Sequence, residues 1–324
     1  MKDRVTQRES NPFPFSDSNK RYYTYDYYLR KTFGGKVAKI VLDAGMTCPN
    51  IDGRCGYHGC IYCSGRGSGD FAASPVLPIE EQYRIIREKI AGKWSTEKCI
   101  PYFQAHTNTY APLPVLRENF EAALRLEGAV GLNVATRADC LPQEVCDYLA
   151  GLAERTVLTV ELGLQTSDDE TAKRINRGHN FADFCTGYSR LRETSEKIGI
   201  CVHLIFGLPG EDREKMMKTV EDVARLHPQQ VKIHLLHVLR NTPLVGMYER
   251  GEYTPLGREE YISLVADALE RLPQDIVIAR LTGDGMAEDL LAPLWSMKKV
   301  SVINDIDKLL YARGSWQGSE REQE

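Results

Sequence analysis

Short apolar runs alternate with amphipathic segments along most of this chain, and that alternation restricts the fold more than any single motif does. Residues 37–42, 100–105, 131–135, 157–164, 200–206 and 231–236 have the length and apolar content of strands. Between them, residues 79–91, 114–126, 142–153, 181–197 and 214–226 carry apolar side chains at helical spacing, as Ile79, Tyr83, Ile86 and Ile90 do in the first. Strands alternating with helices predict a parallel sheet joined by right-handed crossovers. Six such units predict an α/β fold, a partial (β/α)6 TIM-type barrel with its chemistry at the C-terminal ends of the strands. Beyond residue 240 the alternation weakens: 261–271 and 286–295 read as helices and 276–281 as a short strand. The expected layout is an N-terminal arm over 1–36, a core over 37–270, and a C-terminal extension with a polar tail over 271–324.

The loop after the first strand, residues 47–63, holds Cys48, Cys60 and Cys63 among three glycines, Gly53, Gly56 and Gly59. The spacing is Cys-x11-Cys-x2-Cys. Three thiolates can hold an iron–sulfur cluster while leaving one iron without a protein ligand, where four cysteines are the norm. On spacing alone a structural zinc site competes, with Cys55 or His58 as fourth ligand. The nine cysteines are an odd number, against a fully paired disulfide framework. The first seven residues are polar, and no apolar stretch approaches the roughly 20 residues that span a bilayer. A cytoplasmic location with no membrane partner is therefore expected.

A net charge of −4 gives no overall attraction to nucleic acid. Residues 1–40, however, carry nine basic against four acidic side chains. Within them Tyr22, Tyr23, Tyr25, Tyr27 and Tyr28 lie between Arg21 and Arg30-Lys31. Tyrosines can stack on bases while the cations meet phosphates. The same segment also suits an amphipathic helix that packs its tyrosines on the barrel.

Cys48-Pro49-Asn50, Asp52-Gly53, Gly59-Cys60 and Tyr62-Cys63 resemble the cluster loop of radical S-adenosylmethionine (SAM) enzymes, specifically the YhcC/YtqA-like family. That family is similar to the radical SAM half of the elongator acetyltransferase subunit. The resemblance implies a [4Fe–4S] cluster on Cys48, Cys60 and Cys63, with Cys55 outside the trio, Tyr62 as the superfamily's aromatic residue, and SAM on the open iron. Most members carry a Gly-Gly-Glu element at the second strand's end. Residues 102–112 stand there without it, and Gln104, Thr107 and Asn108 offer polar groups in its place. Thr136-Arg137 in residues 135–139 is similar to the family's Thr-Arg-Pro-Asp element and implies a SAM contact, against a surface Arg137–Asp139 pair.

Glu161, Gly163 and Gln165 share one face of a strand. A buried carboxylate and amide require partners, and a ribose offers two hydroxyls; the resemblance implies Gln165 for that contact. Arg177, in Asn176-Arg177-Gly178-His179, matches an arginine that binds the SAM carboxylate, a task suited to a guanidinium fork. Residues 203–211 resemble the Gly-x-Ile-x-Gly-x-x-Glu motif, implying an adenine cradle at Ile205 and Gly207, with His203 where relatives hold a ribose-binding aspartate. His234 and His237 have opposite strand parity, so one of them is expected to face inward. Residues 280–285 resemble a family element that closes the substrate side.

What the resemblance implies for activity is reductive cleavage of SAM to a 5′-deoxyadenosyl radical, with an electron from a flavodoxin- or ferredoxin-type donor. It also implies tRNA as partner, with the C5 side chain of the wobble uridine remodelled. With residues 271–324 read as a short extension and polar tail, no acetyltransferase domain and no acetyl transfer are expected. Two other readings stand beside it: a radical SAM enzyme acting on a small metabolite or peptide, and a non-catalytic zinc or iron–sulfur module.

Overall fold

Each apolar run becomes a strand of one parallel sheet in the computed structural model, which describes residues 11–67, 71–283, 285 and 287–321. The first ten residues of the arm, Met286, Asp284 and the last three residues of the tail lie outside these. The chain begins with α1 (Tyr25–Phe33), β1 (Ala38–Leu42), α2 (Ile79–Ala91), β2 (Cys99–Phe103), α3 (Leu113–Leu124) and β3 (Gly131–Thr136). It continues through α4 (Gln143–Ala153), β4 (Val157–Gln165), α5 (Asp169–Arg174), α6 (Phe181–Thr194), β5 (Gly199–Phe206), α7 (Arg213–Leu226) and β6 (Gln230–Leu235). Then come β7 (Val238–Leu239), α8 (Leu244–Glu249), α9 (Arg258–Arg271), β8 (Val277–Arg280), β9 (Leu290–Ala292) and α10 (Lys299–Arg313).

The sheet order is β1-β2-β3-β4-β5-β6-β8, with all neighbours parallel. All five residues of β2 are buried, and along β4 only the two ends are not. A strand covered on both faces needs no alternation of polar and apolar residues, which is why these strands read as continuous apolar runs. The helices bury one stripe each, Ile79, Tyr83 and Ile86 in α2 for example. Their starts are marked by side chains that accept backbone N–H groups: Asp212 on α7 and a reciprocal Asn180–Asp183 box on α6.

The half-barrel thus has seven strands where six were expected. The seventh, β8, falls within residues assigned to the extension, so a boundary at residue 270 separates α9 from the strand it delivers to the sheet. The arm does not stand apart either. Thr24 makes a parallel bridge to Ile278 in β8, and the Ile278 N–H reaches the Tyr23 carbonyl at 2.8 Å. From there α1 crosses toward β1, where Lys39 Nζ lies 4.7 Å from the centre of the Tyr25 ring. The helix therefore spans the seam between the first and last strands. Tyr22 and Leu29 are buried there, and Arg30 pairs with Asp17 and Asp26. Of the two expectations for this segment, the geometry is that of tyrosines packing against the barrel.

One C-terminal expectation is overturned. Residues 287–295 do not form an α-helix: Leu290–Ala292 pairs antiparallel with Val238–Leu239, and a short 3-10 turn, Leu294–Met297, follows Pro293. A helix follows instead at α10, burying Val302, Ile306 and Leu310 against α9. Its exposed Val300 and Tyr311 blur the apolar stripe, which is why periodicity did not reveal it. The described part of the polar tail docks on the fold. Gln317 is fully buried; it accepts the Tyr23 N–H at 2.9 Å and donates to the carbonyls of Pro273 and Ile276 at 2.6 and 2.8 Å. Gln317→Leu leaves those backbone groups without partners and is expected to destabilise the fold by about 1–3 kcal/mol, measured as a lower urea midpoint. Among the described residues no helix is long and apolar enough to cross a membrane.

Candidate active site at the strand ends

The loop after β1 folds back on itself through its own backbone. Ile51 N–H bonds to the Cys48 carbonyl at 2.8 Å, Cys55 N–H to Pro49 at 2.8 Å, and Gly59 N–H to Asn50 at 2.8 Å. Gly53 takes a positive φ of 96° at the turn, where a Cβ would meet the Tyr57 ring at 2.6 Å. The fold-back brings Cys60 and Cys63 back to Cys48, and all three line one cavity at the C-terminal ends of the strands. Cys55 and His58 are exposed and do not line it; the Cys55 thiol lies 3.7 Å from Asp139 Oδ2.

Cys60 is the buried member of the trio. Its hydrogen bond from Cys63, and then the Arg177 charge, hold its thiol well below the usual value against the effect of burial; Cys63 is pushed up correspondingly. Arg177 is buried, with one Nη bonded to the Gly163 carbonyl and the other 4.0 Å from Cys60 Sγ, while its Nε has no partner among the described residues. Arg137 bonds to the Arg177 carbonyl at 2.8 Å and grips Asp139 at 2.9 and 2.8 Å. That Arg–Asp pair was weighed as a surface feature; Arg137 is instead buried in the cavity wall. A depressed thiol beside two other cysteines and a buried guanidinium with a spare N–H form a donor set suited to a soft metal cluster with an anion next to it.

Of the side chains singled out from sequence, Tyr62, Gln104, Thr107, Thr136, Arg137, Glu161, Gln165, Arg177, His203 and Ile205 line the same cavity. Asn108 and Gly207 do not. Asn108 Nδ2 bonds to the Ala105 and Ala135 carbonyls, both at 2.9 Å, tying the ends of β2 and β3 together. Gly207 packs against Leu256 and gives its N–H to Met216 Sδ. Gln165 reaches the cavity by a route that sequence parity did not contain: the register shifts between Gly163 and Gln165, and Gln165 has a φ of +74°.

Glu161 departs most from expectation. Its Oε1 accepts from Lys39 at 2.8 Å and Asn133 at 2.7 Å; its Oε2 accepts from Tyr102 at 2.6 Å, His203 at 2.8 Å, and Lys232. Five donors use the lone pairs of one fully buried carboxylate, so no capacity is left for a ribose. Burial alone would raise this carboxyl, but Lys232 and Lys39 hold it well below its usual value. Burial pulls Lys232 down to about 8, with Lys39 adding to the effect, and pulls His203 down to about 4, so the imidazole is neutral. Glu161, Cys201 and His203 are the one trio among the described residues whose ligand atoms come within 4.8 Å of each other. The two ammonium groups on Glu161 argue against a cation there.

Lys232, His234, His237 and Arg280 also line the cavity; Lys232 was not singled out, one of the two histidines was expected to face inward, and Arg280 belongs to the stretch expected to close the substrate side. For Lys232 and His234 a signal existed, since with Gln230 they share one face of β6 while Val231, Ile233 and Leu235 take the other. His234 and His237 both reach the cavity because β6 ends at Leu235, and strand parity no longer constrains the loop beyond it.

Comparison with known proteins places this arrangement. The Radical SAM superfamily model matches residues 51–223, and the Radical_SAM C-terminal domain model matches residues 228–312. The chain is 49% identical over 310 residues to the uncharacterized protein YtqA of Bacillus subtilis, covering 96% of each. It is 33% identical over 159 residues to the tRNA uridine(34) acetyltransferase of Methanocaldococcus jannaschii, which is 48% of this chain and 28% of that enzyme. In structure it resembles the Methanocaldococcus infernus Elp3 with a TM-score of 0.64 at 19% identity, covering 87% of this chain and 64% of that one.

Proposed function

The chain belongs to the radical SAM superfamily, as an enzyme whose cofactors are a [4Fe–4S] cluster and SAM, and from that premise we propose that it remodels the C5 side chain of the wobble uridine of tRNA. Cys48, Cys60 and Cys63 are the three ligands in this reading, leaving one iron for SAM. Arg177 takes the SAM carboxylate with its spare N–H, Gln104 and Thr107 the amino group, Gln165 the ribose, and Ile205 the adenine. Bound together, cluster and SAM supply a carbon-centred radical once a flavodoxin- or ferredoxin-type donor provides an electron.

The chain's own residues hold the substrate end. The Glu161 network forms a stiff polar floor under the site, since each of its members is fixed by another strand. Lys39 and Lys232 both pair with that single carboxylate, so this cluster carries one positive charge more than negative. Such a field favours a substrate with an anionic portion, as any RNA has.

The observation that carries the substrate reading is the stretch shared with the tRNA uridine(34) acetyltransferase. Mass spectrometry of nucleosides in tRNA from wild-type and deletion cells tests it. The expected result is loss of one modified uridine with accumulation of its precursor, restored by the intact gene but not by the Cys60→Ala form. An unchanged nucleoside profile overturns the tRNA reading and leaves a small metabolite or peptide as substrate.

A further inference from the structure

Cys60 lies where two loops meet: its own, and residues 175–178, which follow α5 and carry Arg177. The two are joined by reciprocal asparagine bonds. Asn50 Nδ2 donates to the Asn176 carbonyl at 2.5 Å, and Asn176 Nδ2 donates to the carbonyls of Tyr57 and Gly59 at 2.9 and 2.7 Å. Ile61 N–H adds a bond to the Ile175 carbonyl at 3.1 Å. Asn50 is fully buried, and its Nδ2 also lies 3.7 Å from Cys60 Sγ. The space around it is closely fitted: a Cβ at Gly56 or at Gly178 would come within 2.4 or 2.6 Å of Asn50 Oδ1. Asn176 accepts a φ of +53° to present its amide, a conformation asparagine tolerates better than most residues.

We propose that Asn50 and Asn176 are positioning residues, a clasp that holds the cluster ligand Cys60 and the SAM-binding Arg177 as one unit while the Asn50 amide tunes the cluster through its bond to the Cys60 sulfur. The proposal rests on Cys60 being a ligand and Arg177 meeting the SAM carboxylate. Hydrogen bonds to cluster sulfurs help set the reduction potential, because a donor stabilises the additional negative charge of the reduced state. Losing the Asn50 donor therefore makes the cluster harder to reduce. Losing the Asn176 side chain leaves the sulfur contact in place but loosens the segment that carries Arg177. Groups of this kind behind metal ligands change affinity by about 10–100-fold when replaced.

The test uses the anaerobically reconstituted full-length enzyme. Asn50→Leu keeps the branched shape without burying a charge, and Asn176→Gly removes the amide while accommodating the positive φ. Iron and sulfide content, the midpoint potential from an EPR-monitored redox titration, and the SAM dissociation constant are measured for each. Asn50→Leu is expected to keep its iron and to shift the reduction equilibrium about tenfold toward the oxidised form, ~59 mV for one electron. Asn176→Gly is expected to keep the wild-type potential and bind SAM about tenfold more weakly. Unchanged potential in Asn50→Leu, or unchanged SAM affinity in Asn176→Gly, overturns the corresponding half of the clasp. Loss of iron from both variants, with wild-type potential in the cluster that remains, marks a merely structural contact and overturns it entirely. Cys60→Ala run in parallel isolates the premise: full cluster content there overturns the ligand assignment itself.

Discussion

Cys60→Ala is expected to lose cluster and SAM cleavage together, with iron and sulfide after anaerobic reconstitution and 5′-deoxyadenosine formation both falling at least about 100-fold. Residues behind metal ligands already cost about 10–100-fold when removed, so a ligand must cost at least as much. Cys60 is the buried member of the trio, its thiol is already depressed, and Arg177 stands 4.0 Å from its sulfur. Cys55→Ala is the matched control. Cys55 lies in the same loop but is exposed, faces Asp139 and does not line the cavity, so iron content and activity are expected to stay at wild-type levels. Equal losses in the two variants would refute the assignment of Cys48, Cys60 and Cys63 as the ligands.

Glu161→Gln is expected to lower stability by about 3–5 kcal/mol, the typical cost of removing one partner from a buried ion pair. Lys39 and Lys232 would then have no carboxylate, and their cost in the barrel interior would be uncompensated. The check is the shift in denaturant midpoint at pH 7. Replacing Glu161, Lys39 and Lys232 together with methionine is expected to recover much of the loss, because no unpaired charge then remains. The linkage has a definite sign. The native Glu161 carboxyl lies well below its ordinary value of 4.5, so its contribution is complete above that value and is lost as pH falls through the native one. Lys232 acts in the opposite window: with a native value near 8 against 10.5, the unfolded chain holds more protons between them, and stability rises there with pH. A single mutation that left stability unchanged would mean that the five donors around Glu161 are not paired as described.

Much of the site was legible because its chemistry is local. Cys48, Cys60 and Cys63 share one loop, and the loop follows a strand whose apolar character is plain. Arg177 and Gln165, both in the cavity wall, were singled out from short motifs after α5 and at the end of β4. Asn108 and Gly207 show where motif position misleads: both stand in the right stretch of chain, yet one ties two strand ends and the other packs on Leu256. Lys232 and His234 were readable by parity on β6, whereas Arg280 came into view only through the resemblance of residues 280–285, because β8 read as part of an extension rather than the barrel.

The sequence by itself determined the alternating α/β architecture and the three-cysteine loop, and the resemblance of its motifs implied the class of cofactor. Each depends on residues close together in the chain, where backbone geometry sets the period and short motifs carry the resemblance. Only the tertiary structure decided what faces what. Glu161 meets Lys39, Tyr102 and Lys232 across separations of 122, 59 and 71 residues, and Asn50 meets Asn176 across 126. Those partners are chosen by strand register and by the curl of the sheet, which brings the arm and the last strand to a common seam. A local pattern can show that a buried polar group must be satisfied, but not which distant strand supplies the partner.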